Sequence, residues 1–217
     1  MKSRTLASGI SSGLLALVAA LSLTAVSSQA EAYFSVIQTG DLVPAGGFQI
    51  VLEPQIITTR YDGLGINAKL DAGIDESSSV RGILGVGDKM EFELGAMYKL
   101  IPFPDTASQP AIGFEVGGLY ARTRDEGEIS LRFNPLISKR FQAEIGDITP
   151  YASLPLGITF RDEKTLWPVQ LAVGSELRLL NIPQLAFFAE AAFNVHEAFG
   201  YISVAAAWQF DEVKMNR

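Results

Sequence analysis

Polar and apolar residues alternate along most of this chain. The stretch 90–100 shows the pattern most clearly, because it reads MEFELGAMYKL. In a β-strand successive side chains point to opposite faces, so each alternating stretch has one apolar face and one polar face. Apolar residues at helical spacing are hard to find beyond the first 32 residues. The pattern therefore predicts an all-β protein.

Turn-forming residues divide the alternating region into ten segments, an even number that suits a closed, antiparallel up-and-down barrel. Eight strands with longer loops remain an alternative, because Pro54, Pro135 and Pro155 fall inside segments and each removes a hydrogen-bond donor from the sheet. We place the predicted strands near residues 47–58, 63–73, 78–87, 90–101, 110–123, 128–141, 149–161, 167–179, 185–195 and 200–210.

The first 32 residues have the three parts of a secretory signal peptide. Lys2 and Arg4 provide the positive start, an apolar run follows over 13–23, and small residues allow cleavage after Ala30 or Ala32. The apolar run is shorter than the roughly 20 residues of a spanning helix. We therefore divide the chain into a signal peptide (1–32), a periplasmic N-terminal segment (33–46), a β-barrel (47–210) and a C-terminal tail (211–217).

Composition narrows the classes of function. The absence of cysteine excludes disulfides, thiolate metal sites, thiol catalysis and a lipid-anchored N-terminal cysteine. The formal net charge is −7, and an acidic chain is a poor partner for nucleic acid. We find no spacing of His, Asp or Glu that matches a metal site. We therefore expect no metal, no cofactor and no nucleic-acid partner.

Large aromatic residues indicate which face of the barrel points outward. Alternation alone would also fit a soluble barrel with an apolar interior. If the chain starts in the periplasm, however, nine aromatic residues on the apolar faces of the strands lie near strand ends. They form two belts, as at a lipid-facing wall. The predicted membrane-interface aromatics are Phe48, Phe92, Tyr120, Phe141, Phe160, Trp167, Phe193, Trp208 and Phe210.

The opposite parity then supplies a charged lumen. Charges of both signs are interspersed there, and side chains of this length cross much of a narrow barrel. They either pair with one another and fill the lumen or line a water-filled pore of mild selectivity. The predicted lumen-lining residues are Glu53, Lys69, Asp71, Arg81, Glu91, Glu93, Lys99, Glu115, Arg132, Arg140, Glu176, Arg178 and Glu190.

The last segment, Tyr201–Phe210, ends on two aromatics and reads YISVAAAWQF. In this respect the chain resembles the small outer-membrane β-barrel proteins of diderm bacteria, whose last strand is recognised by the barrel-assembly machinery. The tail 211–217 departs from that pattern, because the final aromatic of the family is often the last residue. The resemblance implies an outer-membrane location after signal cleavage, contact with outer-membrane lipid and insertion by that machinery.

The sequence contains few candidate catalytic residues. The lone histidine, His196, lies next to Glu197 between the ninth and tenth segments, where a solvated turn residue is the simpler interpretation. A Gly-x-Ser-x-Gly match at 9–13 lies in the signal peptide and cannot be a nucleophile elbow. We therefore predict a non-enzymatic barrel with a structural role, or a narrow passive channel for small polar solutes. A soluble periplasmic β-barrel that binds an apolar ligand is the alternative, and an outer-membrane lipid-modifying enzyme ranks third.

Overall fold

The computed structural model describes residues 35–58, 63–88, 90–123, 126–162 and 164–210, and the regular structure in these ranges is all β. The strands are β1 (Phe48–Ile57), β2 (Gly63–Gly73), β3 (Ser78–Gly87), β4 (Phe92–Phe103), β5 (Ala111–Thr123), β6 (Glu126–Ser138), β7 (Phe141–Ala143), β8 (Gly146–Ser153), β9 (Leu156–Arg161), β10 (Lys164–Leu166), β11 (Val169–Leu179), β12 (Leu185–His196) and β13 (Tyr201–Phe210).

These strands build a closed antiparallel barrel with ten positions. The short β7 continues β6, β8 and β9 share one position, and β10 leads into β11. Strand β13 pairs with β1, with Phe210 opposite Phe48, and this pairing closes the sheet. The prediction of ten strands is therefore confirmed. The part of the chain that the structure describes holds no helix with the length and hydropathy needed to cross a bilayer.

The prolines are accommodated without removing a strand. Pro155 lies in the break between β8 and β9, where the backbone N–H of Leu154 donates to the Pro135 carbonyl at 3.1 Å. The N–H of Gln170 donates to the Pro155 carbonyl at 3.0 Å, so the neighbouring strand stays attached. Pro54 remains within β1, opposite Ile66 of β2. Pro155 therefore interrupts one strand position locally, and the alternative count of eight strands is not needed.

On each strand the apolar side chains point outward, and the charged side chains that alternate with them point inward. In β6 the side chains of Leu131 and Phe133 are 54% and 42% exposed, whereas Arg132 between them is 5% exposed. The same alternation of buried and exposed residues runs along β1 and β13. All nine predicted interface aromatics are exposed on the outer surface, and the rings of Phe92 and Tyr120 lie 5.7 Å apart. An interior made of ionic groups is thus enclosed by an apolar wall.

Residues 35–43, here called the inner segment, run inside the barrel before the chain turns at 44–46 and enters β1. Residues 35–40 are all buried. This differs from the periplasmic segment predicted for 33–46, of which residues 33 and 34 lie outside the described ranges. The physical reason is that the charged side chains of the lumen can bind the backbone N–H and C=O groups of an extended chain. The stretch Ser35–Gly40 carries no charge of its own, so its backbone groups stay accessible to those side chains.

Candidate functional site

The structure places most of the thirteen predicted lumen residues inside the barrel. Arg178 is half-buried. Two residues differ from the prediction because they lie at the solvent-exposed rims: Glu91 pairs with Arg122 at 3.2 Å, and Arg140 pairs with Asp41 at 2.6 Å. The residues buried in the lumen are Glu53, Lys69, Asp71, Arg81, Glu93, Lys99, Glu115, Arg132, Glu176 and Glu190.

Glu190 of β12 is the principal acceptor for the inner segment. Its carboxylate accepts hydrogen bonds from the backbone N–H of Val36 at 3.2 Å and of Ile37 at 2.8 Å. The hydroxyl of Tyr151 donates to it at 2.7 Å, and the hydroxyl of Tyr201 donates to its other oxygen. Both oxygens are therefore used, which offsets the cost of burying the charge.

Arg81 of β3 contacts the same two residues from the other side. Its Nη1 donates to the carbonyl oxygens of Val36 at 2.9 Å and of Ile37 at 3.2 Å. Its Nε and Nη2 bind the two oxygens of Asp71 at 2.6 and 2.9 Å, so the guanidinium is held in place by a bidentate pair. One carboxylate and one guanidinium thus satisfy both N–H and both C=O groups of residues 36–37.

The backbone at Ile37 adopts an unusual conformation. Its φ is 37°, in the left-handed region that a β-branched residue rarely occupies. The side chain of Ile37 is fully buried in an apolar cluster that includes Tyr151 and Phe188. The polar contacts on either side therefore hold Ile37 in a strained backbone conformation.

The start of the inner segment is fixed by an ion pair in the wall. Lys69 of β2 pairs with Glu53 of β1 at 2.9 Å, and both side chains are fully buried. Lys69 Nζ also donates to Ser35 Oγ at 2.7 Å and to the Val36 carbonyl at 3.3 Å. The Ser35 hydroxyl lies 2.6 Å from Glu53 Oε2 and completes the cluster.

The second half of the segment is fixed by polar side chains on several strands. Gln38 Nε2 donates to Glu115 at 2.9 Å, and Thr39 Oγ1 donates to Glu176 at 2.9 Å. The N–H of Gly40 donates to Ser138 Oγ at 2.8 Å. Lys99 Nζ donates to the Asp41 carbonyl oxygen at 2.7 Å. The wall side chains that hold the segment are Glu53, Lys69, Arg81, Lys99, Glu115, Ser138, Glu176, Glu190 and Tyr201.

The buried part of the inner segment is closely packed, whereas residues 40–42 border an open space of about 840 Å³ at the rim. A cavity of about 30 Å³ lies between it and the wall, lined by Gln38, Lys99, Glu115 and Glu176 among others. A polar space of this size holds about one water molecule. Because residues 35–40 are buried on all sides, the segment fills this half of the lumen instead of lying along the edge of an open pore.

The half of the lumen beyond Ser35 is lined by wall side chains that contact one another. Arg161 of β9 pairs with Glu128 of β6, with Nε 2.9 Å from Oε2. The hydroxyls of Ser130 and Thr159 lie 2.8 Å apart. Glu93 is buried in the same half. These contacts connect neighbouring strands directly and do not involve the inner segment.

Two other candidate sites can be placed. His196 ends β12, its side chain is largely exposed, and its Nε2 lies 3.7 Å from Glu197. Glu197 accepts a hydrogen bond from the Trp167 backbone N–H at 2.7 Å, which ties two loops together. Among the described residues no group of three or more His, Cys, Asp or Glu side chains could hold a metal ion.

Sequence reasoning missed the contacts made by Tyr151 and Tyr201. Both are large aromatics on the inward parity of their strands, and a large inward side chain beside small neighbours such as Ala152 and Ala205 was the available signal. The inner segment itself gives no such signal, because it is short and makes its main contacts through backbone atoms.

Comparisons with known proteins give distant likenesses. No protein-family model and no curated protein matches the chain. One similar solved structure comes from the de novo design of transmembrane beta-barrels, with 9% identity and a TM-score of 0.40 over 78% of this chain and 100% of that chain. The beta domain of the Bordetella autotransporter Brka has 12% identity and a TM-score of 0.49 over 76% and 98%. A bacterial polysaccharide outer membrane secretin has 10% identity and a TM-score of 0.44 over 76% and 66%.

The assignment of the fold comes from the geometry of the chain itself. A closed barrel leaves no unpaired strand edge, so it is one of the two architectures that can cross a bilayer. Its exposed band of Leu, Ile, Val and aromatic side chains matches hydrocarbon and the interfaces on either side. The chain is a closed, ten-stranded antiparallel β-barrel with the apolar outer surface of a transmembrane barrel.

Proposed function

We propose that this protein is an integral outer-membrane barrel with a structural role, closed in its resting form by its own inner segment. The observation that supports this role is the complete burial of residues 35–40 within a lumen that contacts them through charged side chains. A barrel filled in this way is rigid, because buried ionic groups of both signs are paired across its interior.

A narrow passive channel for small polar solutes is the second candidate. It is favoured by the wall itself, which carries Glu53, Asp71, Lys69, Arg81 and Lys99 where apolar residues would fill the space at lower desolvation cost. Passage in this case requires the inner segment to leave the lumen. The closed form then represents one of two states.

The remaining expectations stay predictions. Outer-membrane lipid is the proposed partner of the apolar wall, and the barrel-assembly machinery the proposed partner of β13 during insertion. We continue to propose a non-enzymatic protein without nucleic-acid partners. A soluble barrel that binds an apolar ligand is disfavoured, because such a ligand would meet buried carboxylates and guanidinium groups.

Conductance measurements test the proposal. The mature chain is refolded in detergent, its folding is checked by heat-modifiable gel migration, and it is inserted into planar bilayers. We expect membranes that conduct no more than protein-free membranes. Steady conductance of the unmodified mature chain would contradict the closed, structural form and favour the channel.

A further inference from the structure

We propose that the lumen wall around Glu190 and Arg81 is a binding site for an extended polypeptide, recognised mainly through its backbone, and that the inner segment is its resident but exchangeable occupant. This inference rests on the proposed closed form and adds a ligand class to it. The ligand is a short peptide that presents consecutive backbone N–H and C=O groups and an apolar side chain, and residues 35–43 (SVIQTGDLV) are the example that the structure holds.

Backbone recognition follows from the contacts. Glu190 accepts from two consecutive N–H groups, and Arg81 donates to two consecutive carbonyl oxygens of the same residues. Every peptide carries these groups at every residue other than proline. Charged partners make such hydrogen bonds stronger than neutral ones, and both partners are buried. At residues 36–37 the polar groups of the wall therefore bind the main chain, and the apolar cluster binds the Ile37 side chain.

Exchangeability follows from the way the occupant is attached. The inner segment belongs to none of the barrel strands, so it can leave without breaking a ladder of the wall. It joins β1 through the exposed turn at 44–46, which is held by hydrogen bonds such as Gly47 N to the Pro44 carbonyl at 2.9 Å. Only this turn connects the segment to the wall covalently.

Strain in the occupant is tolerated because other contacts offset it. Ile37 has a φ of 37°, where a glycine would be favoured and a β-branched residue is not. Its side chain is fully buried in an apolar cluster with Tyr151 and Phe188, and this burial stabilises the bound form. The site therefore favours an apolar side chain at this position while it binds the backbone groups beside it.

The test converts the segment into a separate peptide after folding. A site for a sequence-specific protease is inserted after Ala45 in the full chain, the barrel is folded, and the turn is then cut. A fluorescent synthetic peptide of residues 35–43 is added, and its binding is followed by anisotropy and by block of conductance. Two modified peptides accompany it: one N-methylated at Val36 and Ile37, and a control N-methylated at Leu42, which lies outside the contacts of Glu190 and Arg81.

We expect saturable binding of the unmodified peptide to the cut barrel and closure of any conductance that the cut produces. N-methylation at Val36 and Ile37 removes two hydrogen bonds to a carboxylate and should weaken binding about tenfold or more. N-methylation at Leu42 should change binding by less than about threefold. The Ile37→Gly peptide should bind more weakly than the unmodified one, because the loss of a fully buried side chain outweighs the relief of backbone strain.

A matched pair of barrel variants completes the test. Glu190→Gln should weaken binding of the unmodified peptide, whereas Glu93→Gln, which changes a carboxylate in the half of the lumen that the segment does not reach, should leave it unchanged.

Equal binding of the two N-methylated peptides would overturn the proposal. The proposal would also be overturned if neither the cut barrel nor its Glu190→Gln variant exchanged any peptide, since the segment would then be a fixed part of the core. If the uncut protein conducts, the proposed closure fails; if it is closed and the cut barrel does not take up peptide, only the binding site fails.

Discussion

At the scale of single residues, parity predicted the lumen well and the contacts within it poorly. Ten of the thirteen predicted charged residues are buried inside, because a strand that places Leu131 outward must place Arg132 inward. The alternation gives the side of the wall that a residue faces but not its height in the barrel. Glu91 and Arg140, which were predicted in the lumen, therefore lie at the rims. It also cannot show that Glu190 binds backbone groups, since its partners are 153 and 154 residues away in the chain.

A glycine in the inner segment provides a steric prediction. A Cβ built on Gly40 would lie 2.4 Å from the Cβ of Ala111, while one built on the outward Gly82 meets nothing within 4 Å. We expect Gly40→Ala to lower the free energy of unfolding by about 1–3 kcal/mol. Gly82→Ala should change it by less than about 0.5 kcal/mol. Urea unfolding of the two variants in the same lipid measures the difference, and equal midpoints would contradict the packing of Gly40 against the wall.

An acidic residue at the rim provides a pH prediction. Partial desolvation acts to raise the pKa of Asp105, but hydrogen bonds from Lys139 Nζ at 2.6 Å and from the Arg140 N–H at 2.7 Å outweigh it, so the pKa lies below its ordinary value of 3.8. A lowered pKa in the folded state means that the stabilisation is present above pH 3.8 and is lost as the pH falls through the folded-state value.

The variant Asp105→Asn removes this titration. We expect its stability, measured by chemical denaturation between pH 7 and pH 2, to fall less steeply below pH 3.8 than that of the unchanged protein. Asp75→Asn is a comparison at another loop, where hydrogen bonds from the N–H and hydroxyl of Ser77 also lower the pKa of the carboxyl; it should flatten the profile without involving Lys139. Identical pH profiles for Asp105→Asn and the unchanged protein would show that the contact with Lys139 does not stabilise the fold.

At the scale of elements, the alternating pattern predicted every barrel position. The strands β2 and β3 have the predicted bounds of 63–73 and 78–87. Pattern reasoning could not resolve where a proline interrupts a strand, so the segment predicted at 149–161 is divided between β8 and β9. It also could not find the inner segment, whose residues do not alternate and whose placement depends on a lumen built by strands far along the chain.

The absence of native cysteine makes the inner segment accessible to a labelling experiment. Thr39→Cys lies in the buried part of the segment and Ala45→Cys in the exposed turn, so a water-soluble maleimide should modify position 45 at least about a hundredfold faster. Adding Glu190→Gln to Thr39→Cys should speed its labelling. Comparable rates at positions 39 and 45 in the otherwise unchanged barrel would show that the segment does not occupy the lumen.

At the scale of the whole molecule, the barrel separates its charges from its apolar surface. Ionic groups of both signs are buried inside, where each is costly without a partner, and the partners are supplied by neighbouring strands and by the backbone of the inner segment. The outer surface carries the large apolar residues, from Ile50 and Leu52 in β1 to Trp208 in β13. Such an inverted distribution is stable only when hydrocarbon covers the outside.

Depth-dependent fluorescence quenching tests this arrangement most directly. The native tryptophans are replaced by Trp167→Phe and Trp208→Phe, and Leu131→Trp provides a single reporter at mid-height, where Leu131 faces outward opposite Gly118 and Ile158. In bilayers with bromine at known depths along the acyl chains, we expect strongest quenching by bromines near the bilayer centre and little quenching by aqueous acrylamide. Efficient quenching by acrylamide, with no effect of brominated lipid, would contradict this arrangement.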